Sequence, residues 1–194
     1  MPTPLTVGTE AYLLARRLYL YAPTAVDNPH VKKFIDFALS SAGQDIVRQK
    51  GFVSQNVLAV SDTDKKFALS EYKTLTDGAK RLALNFHFRP GFRKLDNKAL
   101  RDIQRVVDYV SKAEKDHVSL HVILVGFSDV VGDDAINLIL SSARVKVVAE
   151  ELSRHSVNIT QVTGLGAAMP VASNASKKGR ERNRRVEIWI KPVM

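Results

Sequence analysis

The sequence predicts an α/β fold (an α+β sandwich): a mixed sheet packed on two helices in the order β-α-β-α-β-β, preceded by a small amino-terminal strand-helix segment. Three observations carry this reading. From residue 81 onward, hydrophobic periods of two residues alternate with periods near 3.6. The stretch VSLHVILVG, residues 118–126, turns apolar on both parities, as a strand covered on both faces does. Two long segments carry apolar stripes at helical spacing, and strands alternating with such helices build a sandwich around one core.

Taken in order, RRLYLYAP (residues 16–23) reads as a strand in which Leu18 and Leu20 alternate with Tyr19 and Tyr21, ended by Pro23. A helix follows from Pro29, with Val31, Phe34, Ile35 and Ala38 on one stripe. Gly43 is expected to divide it from a second short helix that ends at Gly51. Residues 54–77, including SDTDKK, weaken into a connector holding one short strand. LALNFHF is the next strand, and Asp96 caps a helix lined by Leu100, Ile103, Val107 and Val110. Beyond residues 118–126, Asp133 or Asp134 opens a helix running to about His155, with Ile136, Leu140, Ala143 and Val147 inward. NITQVTGLG is a strand, and RRVEIWI is the last, with Val186, Ile188 and Ile190 on one face and Glu187 and Trp189 on the other. The expected division is 1–58 as an amino-terminal piece, 59–79 as connector and 80–194 as the main domain.

A chain of 194 residues, 45% hydrophobic and 25% charged, can bury a sizeable core. Its formal net charge of +9 favours anionic partners without choosing among nucleic acid, anionic lipid and a wall polymer. The absence of cysteine removes disulfides, thiolate metal sites and a thiol nucleophile. No apolar run approaches the roughly 18 residues of a membrane span, and MPTPLTVGTE lacks the basic and apolar regions of a signal peptide.

Chemistry concentrates in GFSDVVGDDAINLILSSAR, residues 126–144. Asp129 follows the carboxyl end of a buried strand, where open α/β sheets place ligands. Asn137, Ser141 and Arg144, spaced i, i+4 and i+7, form a polar stripe beside the apolar one. An acid and an arginine flanking one cleft suit a ligand bearing both an ammonium and a carboxylate, an amino-acid zwitterion. In the final strand, the alternation carried backwards places Arg184 on the apolar side, where a guanidinium needs either open solvent or an anionic partner.

The succession NFHF, GFSD with VG after it, Asn137, LSSAR, GLGAAMPVASN and GRERNRRVEI resembles the peptidoglycan-binding domain of the outer-membrane protein A (OmpA) family, over roughly residues 81–191. The resemblance implies that Asp129 takes an ammonium and Arg144 a carboxylate of the diaminopimelate in the cell-wall stem peptide. It also implies that Asn137 orients loop and ligand, that Asn183 and Arg184 close the cleft, and that Arg184 faces the cleft rather than the dry core. Ser128 keeps a hydroxyl where the family usually has threonine before the acid. The early strand commonly carries an acid where His87 stands, and Arg89 follows, so that edge is more basic than usual. Val145 replaces the alanine the family favours after the arginine.

Residues 5–53, from TVGTEAYLLARRLYLYAP to FIDFALSSAGQDIVRQKGFV, resemble the carboxyl end of a phosphate-type periplasmic substrate-binding protein. That implies a fragment of a fused polypeptide whose signal peptide and remaining lobes lie upstream, and a periplasmic, outer-membrane-associated setting.

His87, His121 and His155 lack metal-ligand spacing, the GLG glycines precede no phosphate-cradling helix, and no serine, histidine and acid set assembles. The expectation is therefore a non-enzymatic module without metal or cofactor, tethering an outer-membrane or periplasmic assembly to peptidoglycan, with neither nucleic acid nor a membrane span involved. Self-association through the amino-terminal segment is a further expectation. Arg180 and Arg182 are expected in solvent, and the structural alternative for Arg184 and Arg185 is pairing with helix carboxylates. The alternatives are a basic surface binding nucleic acid or anionic lipid, which steep salt dependence would reveal, and residual small-anion binding by the amino-terminal segment.

Overall fold

The computed structural model describes residues 2–23, 25, 27–61, 68–91 and 94–193. Its sheet has five strands, β1 (Ala59–Val60), β2 (Lys80–His87), β3 (Leu120–Gly126), β4 (Ile159–Gly164) and β5 (Arg185–Pro192), in the spatial order β1-β2-β5-β3-β4. Among the described strands only the β3 and β4 pair is parallel. The helices are α1 (Pro4–Gly8), α2 (Pro29–Leu39), α3 (Ser41–Gln49), α4 (Ser70–Leu75), α5 (Asn97–Lys115), α6 (Asp134–Arg154) and α7 (Lys177–Asn183). The mixed α/β architecture is the one the alternating periods predict, and β2, α5, β3, α6, β4 and β5 follow in the expected order.

Period-two alternation sorts the central strands into two faces. Leu82, Leu84 and Phe86 of β2, Val122 and Leu124 of β3, and Val186, Ile188 and Ile190 of β5 form the main core with α5 and α6. On the opposite face Ile123, Val125 and Trp189 pack with Tyr72 of α4 and with Phe127, Leu165 and Met169. β3 is thus buried on both sides, which is why it reads as a continuous apolar run. The connector holds β1 and α4, while most of SDTDKK lies outside the described residues.

Caps set the helix starts where the sequence signals them. The Asp96 side chain accepts from the Ala99 amide at 2.8 Å, and Asp133 from that of Ile136 at 2.8 Å. Pro29 occupies the first turn of α2 behind the Asn28 cap.

Five expectations are corrected. Residues 16–23 do not form a strand; the segment is irregular, with Leu18, Tyr19, Leu20 and Tyr21 exposed, and among the described residues no strand offers its backbone a ladder. The break between α2 and α3 is at Ser40, which caps both; Gly43 lies inside α3, where a Cβ would sit 2.1 Å from the Phe37 carbonyl oxygen. In α5 the inward face is Ala99, Ile103, Val106 and Val110, and Leu100 is exposed. In α6 the inward face is Asn137, Ser141, Arg144, Val145, Val148 and Leu152, whereas Ile136 is exposed and Leu140, Ala143 and Val147 are half-buried. The short α7 was not expected at all; Ser176 caps it by accepting from the Gly179 amide at 3.0 Å.

Two glycines allow α6 to lie against the sheet. A Cβ on Gly126 would sit 2.2 Å from Val145 Cγ2 and 2.6 Å from the Ser141 carbonyl oxygen, and one on Gly164 would sit 2.4 Å from the Ser142 amide nitrogen. Gly126→Ala is expected to cost about 1–3 kcal/mol by forcing helix and strand apart. Urea unfolding checks this, and an unchanged midpoint would mean that α6 yields without penalty.

Candidate functional site

The site lies where β3 gives way to α6 and where β5 begins. Phe127, Ser128 and Asp129 continue β3, and this turn is clamped: the Ser128 amide donates to the Gly166 carbonyl at 2.8 Å and the Phe127 amide to the Arg185 carbonyl at 2.8 Å. Gly166, at φ +57, turns the chain so that its own amide also reaches Ser141 Oγ at 3.0 Å. Ser141 in turn donates to the Leu138 carbonyl at 2.9 Å. Ser128, Asn137 and Ser141 are all buried.

Asp129 is 8% exposed. Its Oδ1 accepts from the Val131 amide at 2.9 Å, and its Oδ2 meets Arg184 Nη1 at 2.5 Å. The Arg184 Nε donates to the Phe88 carbonyl at 3.0 Å, while the Phe88 amide donates to the Arg184 carbonyl at 3.2 Å. Arg144, 1% exposed, sets its guanidinium over the Phe88 ring at 5.6 Å. One residue of the NFHF motif, Phe88, therefore joins the acid's partner to the helix arginine. Sequence reasoning quoted the motif without assigning Phe88 a role.

Arg184 is buried and faces Asp129, so the question its parity raised is answered by an anionic partner. Asn137, 2% exposed, lies on the same α6 face as Arg144, and its Nδ2 makes no hydrogen bond among the described residues. A buried amide donor left over on that face is the kind of group a ligand completes. Asn183 differs. Its Oδ1 accepts from the amides of Val171 (2.9 Å) and Ala172 (3.0 Å), and its Nδ2 donates to the Ala172 carbonyl (2.9 Å) and Asn174 Oδ1 (2.8 Å). That uses the whole hydrogen-bonding capacity of the side chain, which pins the 171–174 loop and leaves nothing for direct ligand contact.

Behind the site, on the second face of the sheet, lies a charge cluster that local patterns did not reveal. Glu187, 1% exposed, accepts from Tyr72 Oη at 2.7 Å and Arg185 Nε at 2.8 Å, and pairs with Arg81 Nη2 at 3.0 Å. Arg185 pairs on its own strand rather than with a helix, and stacks over Phe127 at 4.0 Å. Burial alone would raise the Glu187 carboxyl, but Arg81, Arg185 and the Tyr72 hydroxyl outweigh it and hold the group below the ordinary carboxylate range. Arg182, expected in solvent, is buried; Arg180 is half-buried and donates to the Asn174 carbonyl at 2.8 Å.

At the end of β2, burial pushes His87 below the usual histidine range, opposed by Glu10 and helped by Lys98; the Thr9 backbone favours the charged ring. Among the described residues no group of three or more His, Asp and Glu side chains is arranged to hold a metal.

A mixed sheet on two helices, with a buried acid after its central strand gripped from the start of its last one, defines the class, and the chain belongs to the OmpA family: residues 87–184, half of the chain, match it. Among curated relatives, the peptidoglycan-binding protein ArfA of Mycobacterium tuberculosis is 38% identical over 90 residues, 45% of this chain and 26% of ArfA. The probable lipoprotein YiaD of Escherichia coli is 35% identical over 86 residues, 43% of this chain and 39% of YiaD. The chain thus spans well under half the length of either relative.

Among solved structures, a putative MotB-like protein from Desulfovibrio vulgaris aligns with a TM-score of 0.52 at 22% identity, covering 83% of this chain and 93% of that one. The cell wall anchor of the type VI secretion system (T6SS) from Pseudomonas aeruginosa aligns with a TM-score of 0.51 at 24% identity, covering 78% and 94%. At such identities the likeness shows the fold alone. The resemblance of residues 5–53 to a substrate-binding protein gains no support from these comparisons, and the strand on which it drew is not formed. Among the described residues no helix is long and apolar enough to cross a membrane.

Proposed function

We propose that this chain binds peptidoglycan without catalysis, gripping the diaminopimelate of the stem peptide and so tethering a periplasmic or outer-membrane assembly to the cell wall. The observation that carries the reading is the meeting of Asp129, Arg184 and Arg144 around Phe88, with the Asn137 amide donor left over on the same α6 face as Arg144. Family membership and the wall-binding description of ArfA support it.

In this reading the ligand ammonium approaches Asp129, whose two oxygens keep acceptor capacity beyond Arg184 and the Val131 amide. The ligand carboxylate approaches Arg144, a planar donor fork suited to two parallel bonds. Asn137 donates to the same carboxylate or to the peptide next to it. Arg184 holds Asp129 in place until the ligand arrives and thereafter shares it. Ser128 shapes the turn through its buried hydroxyl, which donates to the Asp129 carbonyl at 3.0 Å.

Sedimentation with purified sacculi tests the reading. The protein is expected to pellet with diaminopimelate-type sacculi, to be released by free meso-diaminopimelate, and to lose little binding between 50 and 200 mM salt. A nucleic-acid or polyanion binder would lose affinity steeply over that range. Failure to pellet, or release by salt but not by diaminopimelate, would sink it.

A further inference from the structure

One cavity lies beside this cleft rather than in it. It measures about 470 Å3 and is lined by His87, Arg89, Lys94, Asp96, Asn97 and Lys98, with Leu95 at its side. Phe88 is the hinge between the two places: its ring lies under Arg144 and its carbonyl holds Arg184, while its chain neighbours His87 and Arg89 line the cavity. The cleft and this basic recess therefore share one strand end.

The charges there are unevenly answered. Lys98 is met by Asp102 at 2.6 Å and by Glu10 at 3.5 Å. Asp96 is committed to its own helix through the Ala99 amide. Arg89 and Lys94 are exposed and have no acidic partner among the described residues. The cap on Ala99 leaves the first two amides of α5, those of Asn97 and Lys98, without a helical acceptor, and both residues line the cavity at the positive end of a helix of 19 residues. The ring nitrogens of His87 are buried, with the Thr9 backbone beside them. Two free cations and a helix start around one recess form a receptor for a carboxylate.

In a stem peptide the residue joined to diaminopimelate is a D-glutamate, whose α-carboxylate is either free or amidated. We propose that the cavity is a second subsite that takes this carboxylate, so that the chain prefers free-acid wall peptides to amidated ones. The proposal rests on the peptidoglycan reading above and adds the neighbouring residue and its charge state to it.

Calorimetry tests it with three ligands: free meso-diaminopimelate, the tripeptide L-Ala-γ-D-Glu-meso-diaminopimelate, and the same tripeptide amidated at the D-glutamate carboxylate. The wild-type chain is expected to bind the free acid about tenfold more tightly than the amide, the value of one charge-assisted hydrogen bond. The double variant Arg89→Ala with Lys94→Ala, both surface positions, should lose that preference while keeping its affinity for diaminopimelate alone. A wild-type chain indifferent to amidation, or a double variant that still discriminates, overturns the subsite and leaves the main cleft standing.

If diaminopimelate itself does not bind, the wall reading has failed. The recess is then decided by inorganic phosphate, followed through amide NMR shifts. Shifts at Asn97 and Lys98 that the double variant abolishes support an anion site, and their absence refutes it.

Discussion

Glu187→Ala is expected to destabilise the fold by about 3–5 kcal/mol, the usual cost of removing one partner from a buried ionic group. Glu187 is 1% exposed and Arg185 equally so, with Arg81 nearly as buried. Removing the carboxylate strips Arg185 and Arg81 of their shared counterion, Arg185 in a place water does not reach, and takes the acceptor of the Tyr72 hydroxyl with it. Tyr72→Phe, which deletes one hydrogen bond to a charged acceptor, should cost less, about 1.5–3 kcal/mol. Chemical denaturation ranks the two, and Glu187→Ala proving as mild as Tyr72→Phe would mean that the arginines escape to solvent.

The same cluster fixes a sign for acid. Because the folded-state carboxyl of Glu187 lies below the ordinary carboxylate range, its stabilisation is complete above that range and is lost as pH falls through the folded value. Glu187→Gln should therefore flatten the acid limb of the stability curve.

That cluster also marks the limit of reading this chain without coordinates. Tyr72 and Glu187 lie 115 residues apart, and no local pattern joins them. What was legible rests on short-range rules: the alternation of Val186, Ile188 and Ile190, the two-sided apolarity of β3, and the aspartate caps of α5 and α6. The face of α6 was misread because Ile136, Leu138, Ile139 and Leu140 surround its first turns, so periodicity selects no side. Close approach at Gly126 and Gly164 decides it, and brings the polar residues inward. Residues 16–23 show the converse failure, a strand pattern with no ladder to join. Asp129, Arg144 and Arg184 came from the family resemblance more than from their chemistry. An isolated aspartate after a strand is more often a turn residue, and Asp129 does serve as one through the Val131 amide.

The second large effect is expected on binding. Asp129→Asn keeps the turn's shape and an acceptor for Val131 but removes the charge that would meet a ligand ammonium; affinity for diaminopimelate should fall by about 2–5 kcal/mol. Because the same change leaves Arg184 with only the Phe88 carbonyl, some stability is lost as well, so a fall in binding alone does not separate a ligand contact from a loosened site. Arg144 provides the separation. Lysine carries the ammonium of diaminopimelate without the second carboxylate, so a chain that uses Arg144 for that carboxylate prefers a diaminopimelate peptide to its lysine counterpart. Arg144→Met, which preserves packing over Phe88, should erase the preference while leaving the lysine peptide's affinity nearly unchanged. A general loosening weakens both ligands together and keeps their ratio. Calorimetry with the two peptides against wild type and variant reads that ratio directly, and a preference that survives in Arg144→Met would remove the helix arginine from the grip.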